Sequence, residues 1–454
     1  MARQSDMARN RAVPLRAAVL AVLSALSLPG WAIDLQQAYQ AAMEQDALIR
    51  AARAATQARS ERIPQARSQL LPNITANASR FRNNLDQTVP NLQGRETTTH
   101  LNYNSGSSAL VVRQPLFRKY QWDDYKQAKA QVAQSEAELD KETQNVSVRV
   151  STAYFEALLS QEQLALVQSQ KIAVTTQLDA ARKRLAAGSG TRTDIDEAQA
   201  ALDMNAAQEL EARQNVDYTR RQLESLVNRE IDKLATLDPA RLQLRRPDPD
   251  RLEEWTARAE ATSPELQALR AALEAARLEV EKARDGHLPT LDAVAQISRT
   301  DSETVTSVNQ KYLNRSIGVQ LSVPIYSGGY VNSVVRQALA EQERVTQQLE
   351  YTRRDLALRV NKEFRGVTEG TLRVQALEQA VRSTEQAVLS NRRSYEAGAR
   401  TLVDTLNAEQ QRMQALRDLA QARYVYLLSR VRLLALAGGP KDEVIAEVNG
   451  WLKP

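Results

Sequence analysis

Cysteine is absent from the 454 residues. A chain without it has no disulfide staples, no thiolate metal site and no cysteine for lipid attachment. Histidine is nearly absent too: His100 and His287 are the only imidazoles, far apart in sequence, so no zinc or other metal centre is expected. Neither a GxSxG nucleophile elbow nor a phosphate-cradling glycine loop occurs, which leaves no enzyme chemistry and no cofactor to expect. The carboxylates are scattered along helical patterns, where they read as solvated faces. Beyond the first 28 residues no apolar run approaches the ~20 residues of a membrane helix.

The beginning of the chain is different. MARQSDMARNRAVPLRAAVLAVLSALSLPGWA places Arg3, Arg9, Arg11 and Arg16 before an apolar stretch from Ala17 to Leu28, with Gly30 and Ala32 at small-residue positions. This is the pattern of a secretory signal peptide spanning 1–32, and the mature chain is expected to begin near Ile33. Removing it takes away four arginines and Asp6, so the formal charge falls from +5 to +2. The remaining charges are interspersed rather than gathered on one basic surface, so no nucleic-acid partner is expected. An exported chain that enters a membrane without an apolar helix does so as a β-barrel.

Internal similarity is plain. QARSQLLPNITANASRFR (65–82) resembles KARDGHLPTLDAVAQISR (282–299), VVRQPLF (111–117) resembles QLSVPIY (320–326), and LAAGSGTRTDIDEAQ (185–199) resembles YEAGARTLVDTLNAEQ (395–410). The last pair aligns Gly188 with Gly398 and Asp194 with Asp404. The motifs occur in the same order, so the chain is expected to be a tandem duplication. The first repeat is 33–232 with a β-hairpin at 70–117, and the second is 253–438 with a hairpin at 288–326. A linker, 233–252, joins them, and a patternless tail, 439–454, follows.

Prolines delimit the helices. None lies between Pro115 and Pro239 or between Pro324 and Pro440, and both spans are rich in helix-forming residues. Tyr125, Val132, Leu139, Val146 and Ala153 recur at sevens, as do Leu406, Met413, Ala420, Leu427 and Leu434. Sustained heptads imply coiled-coil packing. A helix from Lys119 to Ala187 would rise roughly 100 Å. The patterned runs 33–67 and 191–228 are each about half that, so they match the long helix end to end.

Residues 74–79 and 317–323 alternate apolar with small or polar side chains, as half-wet strands do; 291–298 and 101–114 alternate less cleanly. Polar loops are expected at 83–99 and 301–311. Four strands cannot close a barrel, and open edges in lipid are costly. Outer-membrane barrels begin at about eight strands, so at least two chains must pool theirs.

The paired LLPNI…QPLF and HLPTL…VPIYSGG segments, and above all the two glycine turns AAGSGTRTDIDEAQ and YEAGARTLVDTLNAEQ, resemble the TolC family of outer-membrane efflux and type I secretion channels. The resemblance covers essentially the whole mature chain. It implies a mainly α fold with β: a periplasmic α-barrel of long helices, and a homotrimer whose chains each give four strands to one twelve-stranded barrel in outer-membrane lipid. It also implies partners, a periplasmic adaptor (membrane fusion) protein and an inner-membrane ABC or proton-driven transporter that supplies the energy. The function implied is an exit duct for protein secretion or drug efflux.

Two readings of the turns stand side by side. Locally, Gly188 and Gly398 suit left-handed helix C-caps, while Thr191 with Asp194 and Thr401 with Asp404 have capping-box spacing. The resemblance implies in addition a gate at the periplasmic tip. There Tyr395 and Arg400 tie to Thr193 and Asp194, and Asp404 rings the pore constriction. Asn407, one helical turn beyond Asp404, is acidic in some members and brings no charge here, so a weaker cation block is expected. The rival reading from the residues alone is a soluble periplasmic coiled-coil adaptor or scaffold. It shares the export signal, heptads and turns but has no use for four alternating segments.

Overall fold

The computed structural model describes residues 32–90, 92–303, 309–439 and 441–453; the expected signal peptide lies outside them, apart from Ala32. Secondary structure follows the proline map. In chain order the elements are α1 (Leu35–Gln45), α2 (Ala47–Ser60), α3 (Arg62–Ser68), β1 (Asn73–Pro90), β2 (Glu96–Phe117), α4 (Lys119–Ala186), α5 (Arg192–Val227) and β3 (Thr236–Leu237). Then come α6 (Leu252–Thr262), α7 (Pro264–Arg284), β4 (Thr290–Glu303), β5 (Asn309–Ser322), α8 (Tyr330–Glu396), α9 (Leu402–Leu436), α10 (Lys441–Asn449) and β6 (Leu452–Lys453). The chain is therefore mostly helical with a minority of strand. No described helix is long and apolar enough to cross a membrane.

Two compact units divide these elements. One, Leu48–Thr143 with Trp255–Arg359, holds a four-stranded antiparallel sheet in the order β1-β2-β4-β5. Its strands outrun the sequence expectation. The segment 83–99, expected as a polar loop, is largely strand: β1 continues to Pro90 and β2 begins at Glu96; of 301–311, also expected as a loop, 301–303 and 309–311 are strand and 304–308 lie outside the described residues. The extension is held by polar rungs, including Asn83 Nδ2 donating to Ser105 Oγ at 2.9 Å and the Thr88 and Thr98 hydroxyls 2.8 Å apart. Apolar residues such as Leu85 and Leu101 are sparse there among polar neighbours, so no clean alternation marks a strand.

At the root of the sheet buried carboxylates meet cations. Arg118 Nε and Nη2 donate to the two oxygens of Asp292 at 2.8 and 2.5 Å. Lys119 reaches Asp123 at 2.6 Å and Asp285 at 2.9 Å, and Lys282 reaches Asp124 at 3.3 Å. Burial pushes the Asp285 carboxyl above the usual range, whereas the Asp123 carboxyl, although burial opposes it, is held below by Lys119 and Lys126. A buried acid paired in this way is tolerated because its charge is compensated in place.

The other unit comprises the described parts of Met1–Ala47, with Gln144–Glu254 and Val360–Pro454. Two tyrosines pin irregular chain to its helices. The Tyr154 hydroxyl lies 3.0 Å from the Ile33 carbonyl and 2.9 Å from that of Ala235. The Tyr426 hydroxyl accepts from Arg245 N–H and donates to Arg245 O, each at 2.9 Å. Close packing beside Tyr426 needs glycine, since a Cβ on Gly366 would meet Ser429 Oγ at 2.3 Å.

One further expectation is corrected here. The run 33–67 is three helices, not one: the chain breaks at Asp46, which has extended ψ and whose carboxylate is bonded by Arg149 Nη2. The tail is structured. It contains α10 and β6, which pairs with β3, and Trp451 is buried; Asn449 caps the beginning of the chain, accepting from Leu35 N–H at 3.1 Å.

Candidate functional site: the tip turns and the sheet

The two glycine turns have the same backbone hydrogen bonds. In the first, Gly188 N–H donates to Leu185 O at 3.0 Å and Ser189 N–H to Arg184 O at 2.9 Å; in the second, Gly398 N–H donates to Tyr395 O at 3.0 Å and Ala399 N–H to Ser394 O at 2.8 Å. This is a Schellman ending, and it needs a left-handed residue, supplied by Gly188 at φ 73° and Gly398 at φ 75°. Each turn then opens a new helix with a reciprocal box. The Asp194 and Asp404 N–H groups donate to the hydroxyls of Thr191 and Thr401, and the Thr191 and Thr401 N–H groups donate back to those carboxylates. The capping reading of both aspartates is thus realised.

Between the turns lies a small apolar cluster of Leu178, Ala181, Ala198 and Leu402, with Ile195, Leu202, Tyr395 and Leu406 packed against it. The Tyr395 ring carries the Arg184 guanidinium 4.4 Å from its centroid, a cation–π contact. Arg400 Nη1, in the turn that precedes α9, lies 3.7 Å from Asp404 in the first turn of that helix. Among the described residues Tyr395 makes no hydrogen bond to Asp194, and Arg400 makes none to Asp194 or Thr193. Thr193 and Asn407 are exposed; Asp194 is partly buried. The Asp404 carboxyl is held below the usual range by the Thr401 N–H, the Thr401 hydroxyl and Arg400.

Further along the same unit Glu209 bridges Lys171 at 2.7 Å and Arg213 at 2.5 Å. The two cations hold its carboxyl down to about 2, hydrogen bonding from Lys171 being the larger cause. Arg184 and the Lys171 arm of this bridge carry no sequence signature. Glu209 with Arg213, and at the sheet root Lys119 with Asp123, do carry one: each pair stands at i,i+4, a spacing that brings side chains together on a helix.

The sheet has two unlike faces. Rungs Ile74–Val112–Ala295–Ile317 and Ala76–Leu110–Ile297–Arg315 lie on one; Thr75–Val111–Gln296–Ser316 and Asn77–Ala109–Ser298–Asn314 lie on the other. The first is both apolar and open, with Ile74 65%, Ile317 88% and Val319 71% exposed. One greasy and one wet face, with unpaired edges at β1 and β5, are what a wall segment of a membrane barrel requires. No group of His, Cys, Asp and Glu among the described residues is arranged to hold a metal.

Long helices with paired tip turns, joined to an outward-apolar sheet, define the class of outer-membrane ducts with a large helical part in the periplasm. The chain belongs to the outer membrane efflux protein family, whose sequence model matches residues 38–229 and 255–439. It is similar to the alkaline protease secretion protein AprF of Pseudomonas aeruginosa, 34% identical over 420 residues, covering 92% of this chain and 87% of AprF. It is also similar to the proteases secretion protein PrtF of Dickeya chrysanthemi, 31% identical with 94% of each covered, and to TolC of Escherichia coli, 29% identical with 96% and 89% covered. Among solved structures, the outer membrane protein VceC of Vibrio cholerae superposes with a TM-score of 0.75 at 19% identity, covering 89% of this chain and 96% of that one. The CmeC channel of Campylobacter jejuni gives 0.76 at 16%, covering 92% and 90%. The chain is an outer-membrane protein and not an enzyme. The relatives give no support to the soluble adaptor reading.

Proposed function

We propose that three copies of the chain form one exit duct, gated at its periplasmic tip, for type I protein secretion, with drug efflux as a second use. The carrying observation is the four-stranded sheet with one apolar face and two unpaired edges. Such a sheet is stable in lipid only when other copies complete it, and twelve strands leave a water-filled lumen. On this reading 33–232 and 253–438 are the two structural repeats, 233–252 the linker and 439–454 a periplasmic tail.

Secretion comes first because two relatives at 34% and 31% identity over nearly the full chain are named for protease secretion. Partners in this scheme are a periplasmic adaptor protein and an inner-membrane ABC transporter, or a proton-driven one for drugs. At the tip, Tyr395 and Arg400 tie to Asp194 and Thr193 in the closed state, and Asp404 lines the constriction with Asn407 one turn further in. Each tie contributes ~1 kcal/mol at a wet surface, so symmetry makes the closed state stable and a docked partner can undo it. Three carboxylates around a narrow axis concentrate negative potential and bind cations.

The test is reconstitution. Co-expressed with a protease-secreting ABC transporter and its adaptor, the chain should release the protease into the medium, and the purified protein should form trimers that conduct in planar bilayers. A non-conducting monomer would overturn the duct.

A further inference from the structure

Above its apolar rungs the open face of the sheet changes character. The next rungs are Ala78–Ser108–Arg299–Leu313 and Arg80–Gly106–Asp301–Lys311. With Arg315 one rung below, four cations and one carboxylate occupy three successive rungs. Arg80, Arg299 and Arg315 make no ion pair among the described residues; Lys311 lies 3.6 Å from Asp301.

The cations surround a hollow. Gly106 presents no side chain, and over it lies a depression of about 560 Å³ walled by Arg80, Arg299, Asp301 and Lys311. Leu313, 62% exposed, flanks the hollow on the Arg299 rung, and Ile317, 88% exposed, continues the same face two rungs below it, past Arg315. From Leu321 to Lys311 the strand runs about ten residues, the length of a tilted strand crossing the hydrocarbon. Both hairpins enter and leave at the end where the helices attach, so the basic rungs fall at the far, outer side of the membrane. An unpaired arginine among lipid-facing leucines and isoleucines is unfavourable unless its guanidinium rises to an anion at the interface.

We infer that this hollow binds the phosphorylated headgroup of an outer-leaflet glycolipid, its acyl chains lying on the Leu313 and Ile317 rungs. Arginine matches phosphate bidentately, and lysine adds a point charge. A free phosphate would satisfy the cations but leave the adjoining apolar face unused, so the surface fits a lipid. The assignment rests on the proposed duct, in which this face meets lipid.

The experiment titrates the full-length protein in detergent micelles with a bis-phosphorylated, multiply acylated glucosamine disaccharide, with its dephosphorylated form and with inorganic pyrophosphate, followed by native mass spectrometry. The phosphorylated lipid should bind at least tenfold more tightly than the dephosphorylated one, and pyrophosphate should not displace it. The variant R80Q/R299Q/K311Q should lose at least tenfold in affinity. Gly106→Leu, whose Cβ would meet only ordinary contacts at 3.7 and 3.9 Å, should lose as much by filling the hollow with every charge in place, and it serves if the triple variant does not fold. Arg344→Gln, on a helix, should change nothing. Equal binding of the two lipids, unchanged affinity in Gly106→Leu, or displacement by pyrophosphate would overturn the site. Conductance in planar bilayers reports on the duct separately: a conducting wild type without lipid preference refutes only this inference.

Discussion

The Arg184 guanidinium lies over the Tyr395 ring, 4.4 Å from its centroid, joining the end of α4 to the end of α8 at the tip. Sequence resemblance assigns the Tyr395 hydroxyl to Asp194; the structure gives the ring a separate cation. The two interactions are separable. Tyr395→Phe keeps the ring under Arg184 and removes only the hydroxyl, whereas Arg184→Ala removes ~0.5–1 kcal/mol of cation–π attraction at an exposed site. In the proposed gate, Tyr395→Phe with Arg400→Ser raises single-channel conductance in planar bilayers. Wild-type conductance in that double variant would dismiss the gate assignment.

Asp404 is expected to carry cation block. Asp404→Ala should abolish high-affinity block by multivalent cations added on the periplasmic side. Because the Thr401 N–H and hydroxyl and Arg400 hold its carboxyl below the usual aspartate range, mild acid that leaves ordinary carboxylates charged should not relieve block in the wild type. Block that survives in the variant would place the cation ring elsewhere.

The glycine turns predict a cost that is purely conformational. A Cβ at Gly188 or Gly398 meets nothing within 4 Å, yet both residues sit at positive φ. Gly188→Ala and Gly398→Ala should each destabilise by ~1–2 kcal/mol, seen as an earlier midpoint in denaturant titration of the detergent-solubilised protein. An unchanged midpoint would mean the turns reorganise without strain.

Legibility in the sequence followed periodicity. The long helices were readable because prolines are missing from them and sevens recur; of the expected seam, Val132, Val146 and Ala153 are buried, whereas Tyr125 and Leu139 are only partly so. A second seam escapes such reading. Val331, Ala338, Val345 and Thr352, then Val360, Val367, Val374, Val381 and Val388, are all buried in α8. The step lengthens by one residue between Thr352 and Val360, and that shift of register hides the repeat from a strict heptad search. The outer strand segments were unreadable for the opposite reason: Leu85 and Leu101 face each other, but Asn83, Thr88 and Thr98, which pair through side chains, dilute the apolar positions too far to mark an alternation. The capping partners of Asp194 and Asp404 followed from spacing alone. The Arg184–Tyr395 contact depends on tertiary packing, which no local spacing encodes.

At the strand root, Arg118 holds an Asp292 side chain that is only 6% exposed. Arg118→Gln leaves that carboxylate with Arg113 at 4.0 Å as its remaining cation. Removing one partner of a buried pair costs ~3–5 kcal/mol, whereas replacing both by apolar groups costs far less. Arg118→Met with Asp292→Leu should therefore recover much of the stability lost in Arg118→Gln, measured by thermal denaturation. If the double replacement is as unstable as the single, the pair is not the determinant.

Acid should weaken the tip-bearing unit through Glu209. Its carboxyl titrates at about 2 when folded, held by Lys171 and Arg213, against ~4.3 in an unfolded chain. The unfolded state binds the proton first as pH falls, so the stabilisation is complete above about 4.3 and disappears as pH descends through 2. Lys171→Ala removes the larger cause of the depression and should flatten this slope while leaving stability near pH 7 reduced. Denaturation midpoints at pH 7, 4 and 2.5 make the comparison: parallel curves for variant and wild type would show that Glu209 is not the group being titrated.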